Sequence, residues 1–154
     1  MDDSERKTFA DIEQYGCSVM HVHDPDEKLP PFSYSIGVTK SSGAPEVVVI
    51  GLKQPLAHFI VNEYNRRVRE GEAFQAGRRY SDFIEGFDLI AVPVERRHYP
   101  EYFGYDLWLY QGPSFEVLQL VYPNTSGVWP WQDGADDWFR AQQPLLGNFG
   151  GKAL

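Results

Sequence analysis

The run Val47–Ile50 constrains the fold of this chain more than any other stretch. Its four consecutive β-branched residues predict a strand, and a strand that is apolar on every side has to be covered on both faces. Such a strand belongs in the middle of a sheet. The remaining chain must therefore supply both the neighbouring strands and the layers that cover them.

The residues before this run predict a second strand that pairs with it. Pro30 and Pro31 cannot donate to a strand ladder, so pairing is expected to start at Phe32. From there apolar residues alternate with serine and glycine, which is typical of a half-buried strand. The segment Lys40–Gly43 consists of turn formers and predicts the connection between the two strands.

Periodicity along the rest of the chain predicts further helices and strands. Pro93 lies inside one of these strands and predicts an edge position for it, because proline donates no hydrogen bond. The longest helix opens on Pro55 and carries an apolar stripe, so we expect it to pack across the sheet. The predicted elements are a helix at Ser4–Tyr15, a strand at Cys17–His23, a helix at Pro55–Arg69, a helical turn at Tyr80–Ile84, a strand at Asp88–Glu95, a helix at Arg97–Tyr110 and a strand at Val117–Tyr122.

Length and composition predict one α+β domain with a mostly antiparallel central sheet of about five or six strands and one long helix across it. We expect the domain to span residues 1–146 and a flexible C-terminal tail to span 147–154. The 154 residues suffice for one sizeable core, and an aromatic content of 15% argues against disorder. The charged N-terminus lacks a signal-peptide pattern and no apolar run reaches membrane-spanning length, which favours a cytoplasmic protein without a membrane partner.

Charge and motif content exclude several functional classes. The formal net charge of −8 disfavours nucleic-acid binding, because the protein repels phosphate backbones. Neither of the common glycine-rich phosphate-binding patterns occurs, so no nucleotide cofactor is predicted. His21 and His23 share one strand face but have no third ligand nearby in the sequence, so no metal is predicted. Cys17 is interpreted as a structural thiol.

Several side chains are candidates for a ligand pocket or a partner interface. Trp129 and Trp131 flank a proline and form a stiff aromatic wall, which suits either a core plug or a binding surface. Gln119 lies among apolar residues of a strand, where a buried amide must find partners, with a structural bond favoured over a ligand contact. The full candidate set is His21, Tyr34, Glu46, Tyr105, Gln119, Trp129 and Trp131, with His21 or Glu46 as the acid–base group if a reaction occurs.

An ordered series of short motifs along the chain resembles the bacterial domain of unknown function 4262 family. The motifs are Ile12–Val22, Pro31–Gly37, Pro45–Glu46 with Gly51–Leu52, Tyr105 with Tyr110, Gln119–Val121 with Pro123, Gly127 with Pro130–Trp131, and Gln143–Gly147. The resemblance implies a small, self-contained cytoplasmic bacterial protein. It implies no activity, and no catalytic role is transferred from it.

These observations favour a non-enzymatic, acidic partner-binding protein. Its partner would be a basic protein, for instance a toxin that it neutralises in the manner of an immunity protein or antitoxin. The alternative is a small-molecule binder or hydrolase-type enzyme with an aromatic pocket. The first predicts exposed aromatic rings, and the second predicts rings around a concavity. The sequence predicts no oligomeric state.

Overall fold

The chain alternates short helices with the six strands of one sheet. The structure is a computed structural model that describes residues 2–147. The elements are α1 (Asp3–Tyr15), β1 (Ser18–Val22), β2 (Phe32–Ile36), α2 (Val38–Ser42), β3 (Glu46–Ile50), α3 (Gln54–Arg69), β4 (Arg79–Ile84), β5 (Phe87–Pro93), a 3₁₀ turn (Arg96–His98), α4 (Tyr99–Tyr102), α5 (Gly104–Tyr110), β6 (Val117–Val121) and α6 (Asp137–Gln142).

The strands form one mixed sheet in the order β1-β2-β3-β6-β5-β4. Every neighbouring pair is antiparallel except β3 with β6, which run parallel. β3 carries the Val47–Ile50 run and lies at the centre of the order, with all its residues buried. The predicted α+β class and the mostly antiparallel central sheet are therefore confirmed.

The predicted long helix covers one face of the sheet. α3 begins with Pro55 at its first turn and buries Ile60, Val61 and Tyr64 against alternate residues of β3, β5 and β6. Its interior positions recur three or four residues apart, so its apolar side follows the 3.6-residue period of the helix. Apolar burial of this kind is the main favourable term in folding.

Two separate clusters of side chains cover the opposite face of the sheet. Tyr99 and Phe103, from α4 and the residue that follows it, pack against β2 and β3. Trp129 packs against Ile90 and Val121 of β5 and β6. The sheet is thus covered on both faces, as the sequence of β3 requires.

Two predictions about the far edge of the sheet are wrong. The segment predicted as a helical turn, Tyr80–Ile84, belongs to strand β4, where a register shift and the positive φ of Asp82 break the alternation that marks a strand. The strand that contains Pro93 is not at the edge, because β5 pairs with both β4 and β6. Proline is tolerated there because Pro93 is the last residue of β5.

The helical predictions need smaller corrections. The predicted helix Arg97–Tyr110 is interrupted at Phe103, whose φ of −118° and ψ of 48° are not helical. The turn predicted at Lys40–Gly43 overlaps the short helix α2, which Gly43 ends with a positive φ. The N-cap of α1 is Asp2 rather than Ser4, within a capping box that Glu5 completes.

The residues after α6 cross the sheet on its Trp129 side. Gln119 donates to the Pro144 carbonyl at 2.9 Å and accepts from the Leu146 amide at 2.9 Å. A side chain at Gly147 would collide with the Pro93 carbonyl, so this first residue of the predicted tail is packed. The rest of the predicted tail, 148–154, lies outside the described residues.

Candidate functional site

Strands β3 and β6 run parallel, so their amino ends lie next to each other at the same end of the sheet. Glu46, the first residue of β3, is wholly buried there. Its carboxylate accepts hydrogen bonds from five donors, three of which are the backbone amides where α2 begins. Gly37, the residue before α2, offers no side chain that could cap it, so Glu46 does so from the next strand. The donors are Ser35 Oγ at 2.7 Å, the amides of Gly37 at 3.2 Å, Val38 at 3.1 Å and Thr39 at 3.1 Å, and the Tyr110 hydroxyl.

Asp106 is a second carboxyl buried beside Glu46. Neither of its oxygens has a hydrogen-bond partner among the described residues, and the nearby Gly37 amide donates to Glu46 instead. Burial, and then the charge of Glu46, raises the pKa of Asp106 well above its usual range. Burial also raises the pKa of Glu46, but its five donors favour the ionised form. Of the two carboxyl groups, Asp106 is therefore the one whose pKa is raised further and that takes up a proton more readily.

The aromatic candidates on this side of the sheet contact one another rather than an open space. The hydroxyl of buried Tyr34 accepts a hydrogen bond from the Tyr105 amide at 3.3 Å. The Tyr105 hydroxyl meets Ser4 Oγ at 2.6 Å. Burial raises the pKa of Tyr34, so its phenol stays protonated and acts as a hydrogen-bonding core group.

The remaining candidates lie in other parts of the fold. The rings of Trp129 and Trp131 stack at 5.5 Å over the β5–β6 half of the sheet, with Arg79 5.3 Å above Trp129. Gln119 is wholly buried and bonded to the C-terminal segment. His21 is on edge strand β1, where its Nδ1 meets Ser33 Oγ at 2.6 Å, and burial lowers its pKa. The seven candidates therefore do not converge on one pocket.

The carboxyl ends of β3 and β6 open into a cleft of about 480 Å³. We call it the Trp138 cleft, after the tryptophan of α6 that is 70% exposed beside it. Clefts outside the carboxyl ends of parallel strands are frequent ligand sites, and this volume is within the usual range. Its walls come from both strand ends, α3, the β4–β5 turn and α6, and include Leu52, Leu56, Ile84, Phe87, Tyr122, Pro123, Trp138 and Phe139.

Two further hollows extend this apolar surface. Trp138 and Gln142 also line a hollow of about 370 Å³ that contains Leu29, whose side chain is 64% exposed. On the other side, Ile84 and Phe87 are shared with a hollow of about 540 Å³ beside the exposed ring of Phe59. We call the three hollows together the Trp138 strip.

Carboxylates outnumber cations along the Trp138 strip. Five acidic residues line the three hollows, whereas Lys28 is the one lysine or arginine among their lining residues. The strip is therefore apolar along its length and negatively charged at its margins. The five acidic residues are Glu27, Asp82, Glu85, Asp88 and Asp136.

Sequence reasoning missed the residues that matter most at both ends of the β3–β6 pair. Asp106 precedes Tyr110 by four residues, a spacing that places both on one face of α5. Asp136 caps α6 by accepting from the Phe139 amide at 2.7 Å. A cap at Asp136 puts Trp138 in the first turn of α6, but the sequence does not indicate that Phe139, rather than Trp138, faces the core.

The fold defines the chain as a single α+β domain. Comparison with protein families shows the family to which this domain belongs. The profile of the family described as "Domain of unknown function (DUF4262)" matches residues 11–136. The chain therefore belongs to that family, which confirms the resemblance found in its motifs. Comparisons with curated proteins and with solved structures found no match.

Within residues 2–147, no helix is both long and apolar enough to cross a membrane. The same residues contain no cluster of three or more histidine, cysteine or acidic side chains placed to hold a metal ion. Burial raises the pKa of the Cys17 thiol to about 12, which leaves little thiolate at neutral pH.

Proposed function

We propose that this protein binds a basic polypeptide through the Trp138 strip and does not catalyse a reaction. The observation that carries the proposal is the exposure of Trp138, a residue that is 70% exposed while its neighbour Phe139 is buried. Exposed tryptophan beside an apolar cleft is typical of the anchor positions in protein interfaces. The proposed setting is the bacterial cytoplasm.

The charge around the strip indicates the kind of partner. Five carboxylates and one lysine line its hollows, and the whole chain carries a net charge of −8. Complementary charge speeds association and excludes partners of the wrong sign. The partner is therefore a basic protein with at least one apolar side chain that enters the Trp138 cleft. Neutralisation of such a protein, as by an immunity protein or antitoxin, is the form of binding we propose.

The alternative of an aromatic pocket has less support. It requires Tyr34, Tyr105, Gln119, Trp129 and Trp131 to surround an open space. Instead, the Tyr34 hydroxyl and the Gln119 amide are engaged within the chain, and the two indoles stack on each other. The Trp138 cleft could also take a small apolar molecule, but a pocket ligand explains neither the length of the strip nor its acidic margins.

The test is affinity purification from the source cells with two matched tryptophan variants. Trp138→Ala removes the proposed anchor, and Trp108→Ala removes a tryptophan of α5 that is also exposed but lies outside the strip. We expect a basic polypeptide to co-purify with the wild type and with Trp108→Ala but not with Trp138→Ala. Its capture should weaken as the salt concentration rises.

Two outcomes contradict the proposal. The first is a set of co-purifying proteins that is the same for all three proteins. The second is a Trp138-dependent partner that is acidic or whose binding is unaffected by salt. Either result separates the exposed tryptophan from the acidic margins and removes the basis for a basic partner.

A further inference from the structure

A second surface of the protein lies apart from the Trp138 cleft, and its lining is mostly polar rather than apolar in residue type. A groove of about 750 Å³ lies between α1, β1 and α3, and most of the residues that line it are polar or charged. We call it the Asn65 groove. Its α3 wall includes a polar stripe with helical spacing: His58, Asn62, Asn65 and Arg69, with Arg66 beside it.

Asn65, one of the residues that line this groove, has a hydrogen-bond acceptor without a partner among the described residues. The residue is 5% exposed, and its Nδ2 donates to the Tyr15 carbonyl at 2.8 Å. That bond fixes the orientation of the amide, because a carbonyl oxygen accepts only from the NH₂ group. The Oδ1 atom is buried and has no partner among the described residues. Buried amide oxygens of this kind are rare, because leaving one without a donor costs stability.

Arg69 supplies a positive charge beside that acceptor. Its guanidinium donates to the same Tyr15 carbonyl, so the Asn65 amide and the Arg69 guanidinium converge on one oxygen atom. No carboxylate among the described residues pairs with Arg69. The other two cations of the groove are paired, Arg66 with Glu63 and Glu70 and Lys7 with Asp11.

We infer that the Asn65 groove binds a small carboxylic acid that carries a hydrogen-bond donor close to its carboxylate. The carboxylate pairs with Arg69, whose planar guanidinium matches a carboxylate in shape and charge. The donor, an N–H or O–H group, supplies the missing partner of Asn65 Oδ1. Because both side chains bond to one carbonyl oxygen, the two contacts are close enough for a donor that is one carbon away from the carboxylate.

The test uses three compounds that differ by one feature each. N-acetylglycine has both the carboxylate and the N–H, N-acetylsarcosine lacks the N–H, and N-acetylglycinamide lacks the charge. Binding is followed by NMR as shifts of the backbone amides at 15–18 and 62–69. We expect N-acetylglycine to bind and each of the other compounds to bind about tenfold more weakly, the change that a single hydrogen bond or ion pair makes.

Matched variants of the protein test the same contact from the other side. Arg69→Gln keeps a donor that can reach the Tyr15 carbonyl but removes the charge. Arg78→Gln removes an exposed arginine that is not part of the groove. N-acetylglycine should bind Arg69→Gln about tenfold more weakly than the wild type and bind Arg78→Gln equally well. The thermal unfolding of each variant shows whether it is folded.

Three results would overturn the inference. One is the absence of shifts in these segments up to about 10 mM N-acetylglycine, which corresponds to almost no affinity. Another is equal affinity for the three compounds, which would mean that neither polar contact is made. The last is a ligand-saturated crystal structure in which the partner of Asn65 Oδ1 is an ordered water only.

Discussion

The two ends of the parallel pair β3–β6 are built from the same two strands but differ in what they bury. One end buries polar groups that are hydrogen-bonded within the chain, and the other leaves apolar surface exposed. At the amino ends, the Glu46 carboxylate accepts from five hydrogen-bond donors, and burial raises the pKa of Asp106 beside it. At the carboxyl ends, the strands open into an apolar cleft where Trp138 is largely exposed. The chain itself covers the amino ends, whereas part of the apolar surface at the carboxyl ends is left in contact with solvent.

This difference separates stability from binding. Buried carboxylates attract attention as catalytic groups, because burial shifts their pKa in the way that active sites require. Here every donor to the Glu46 carboxylate comes from the fold itself. The role of Glu46 is to hold the start of helix α2 against strand β3. At the carboxyl ends, Tyr122, Gln142 and Gln143 bond to the backbone around the strand ends, but the apolar surface beside them stays exposed and is available to a partner.

The largest expected effect is at the closed end. Glu46→Leu removes the acceptor of five donors, three of them backbone amides that the fold keeps buried or half-buried. We expect the free energy of unfolding to fall by about 3–5 kcal/mol, measured by urea denaturation. Glu116→Leu is the matched control, because this exposed carboxylate precedes the neighbouring strand β6 and should change stability by less than about 0.5 kcal/mol. Equal effects for the two variants would show that Glu46 is not a structural cap.

The next effect is a dependence of stability on pH. The pKa of Asp106 is raised by burial, so the folded protein holds a proton that the unfolded chain has lost. The unfolded state then binds fewer protons, and the free energy of unfolding falls as the pH rises above about 4, the usual pKa of an aspartic acid in an unfolded chain. Asp106→Asn should make this decline smaller.

Comparison of the two proteins isolates the contribution of Asp106. The lowered pKa of His21 works in the opposite direction, because it makes the protein more stable as pH rises, but it is the same in the wild type and in Asp106→Asn. Urea denaturation at several pH values within this range gives both slopes. Parallel curves for the two proteins would mean that Asp106 is ionised in the folded state.

The smallest effect on stability is expected at the open end. Trp138→Ala should change the free energy of unfolding by about 0.5 kcal/mol or less, because most of its ring is already in water. Phe139→Ala, one residue further along α6, should lower it by about 3–5 kcal/mol, because this ring packs against Tyr122 in the core. A large loss in Trp138→Ala would place the indole in the core of the protein and remove the contrast between the two ends.

The sequence was sufficient to predict the class of fold because that class depends on periodicity. The Val47–Ile50 run places β3 at the centre of the sheet, and the apolar stripe after Pro55 predicts α3 to within one residue at its start. Predictions that depended on a single residue were weaker. Pro93 indicated an edge strand, but its position at the last residue of β5 leaves the pairing with β6 intact.

The candidate site was harder to predict, because it depends on which aromatic rings the fold leaves exposed. Tyr34, Trp129 and Trp138 are all large and apolar, and composition does not distinguish among them. The first is buried because it faces α4 and α5, and the last is exposed because α6 turns Phe139 inward. Likewise, the partnership of Glu46 with Asp106 joins residues that are 60 positions apart and follows no local pattern.

The bonds of the C-terminal segment have a consequence for how the protein is made. Gln143 bonds to both backbone groups of Tyr122, and the amide of Leu146 bonds to the central Gln119. The ribosome therefore has to release the chain through Leu146 before the middle of the sheet is complete. A product that stopped at residue 136, where the family match ends, would leave the carboxamide of Gln119 without partners in the sheet interior and expose it to the quality-control machinery of the cell.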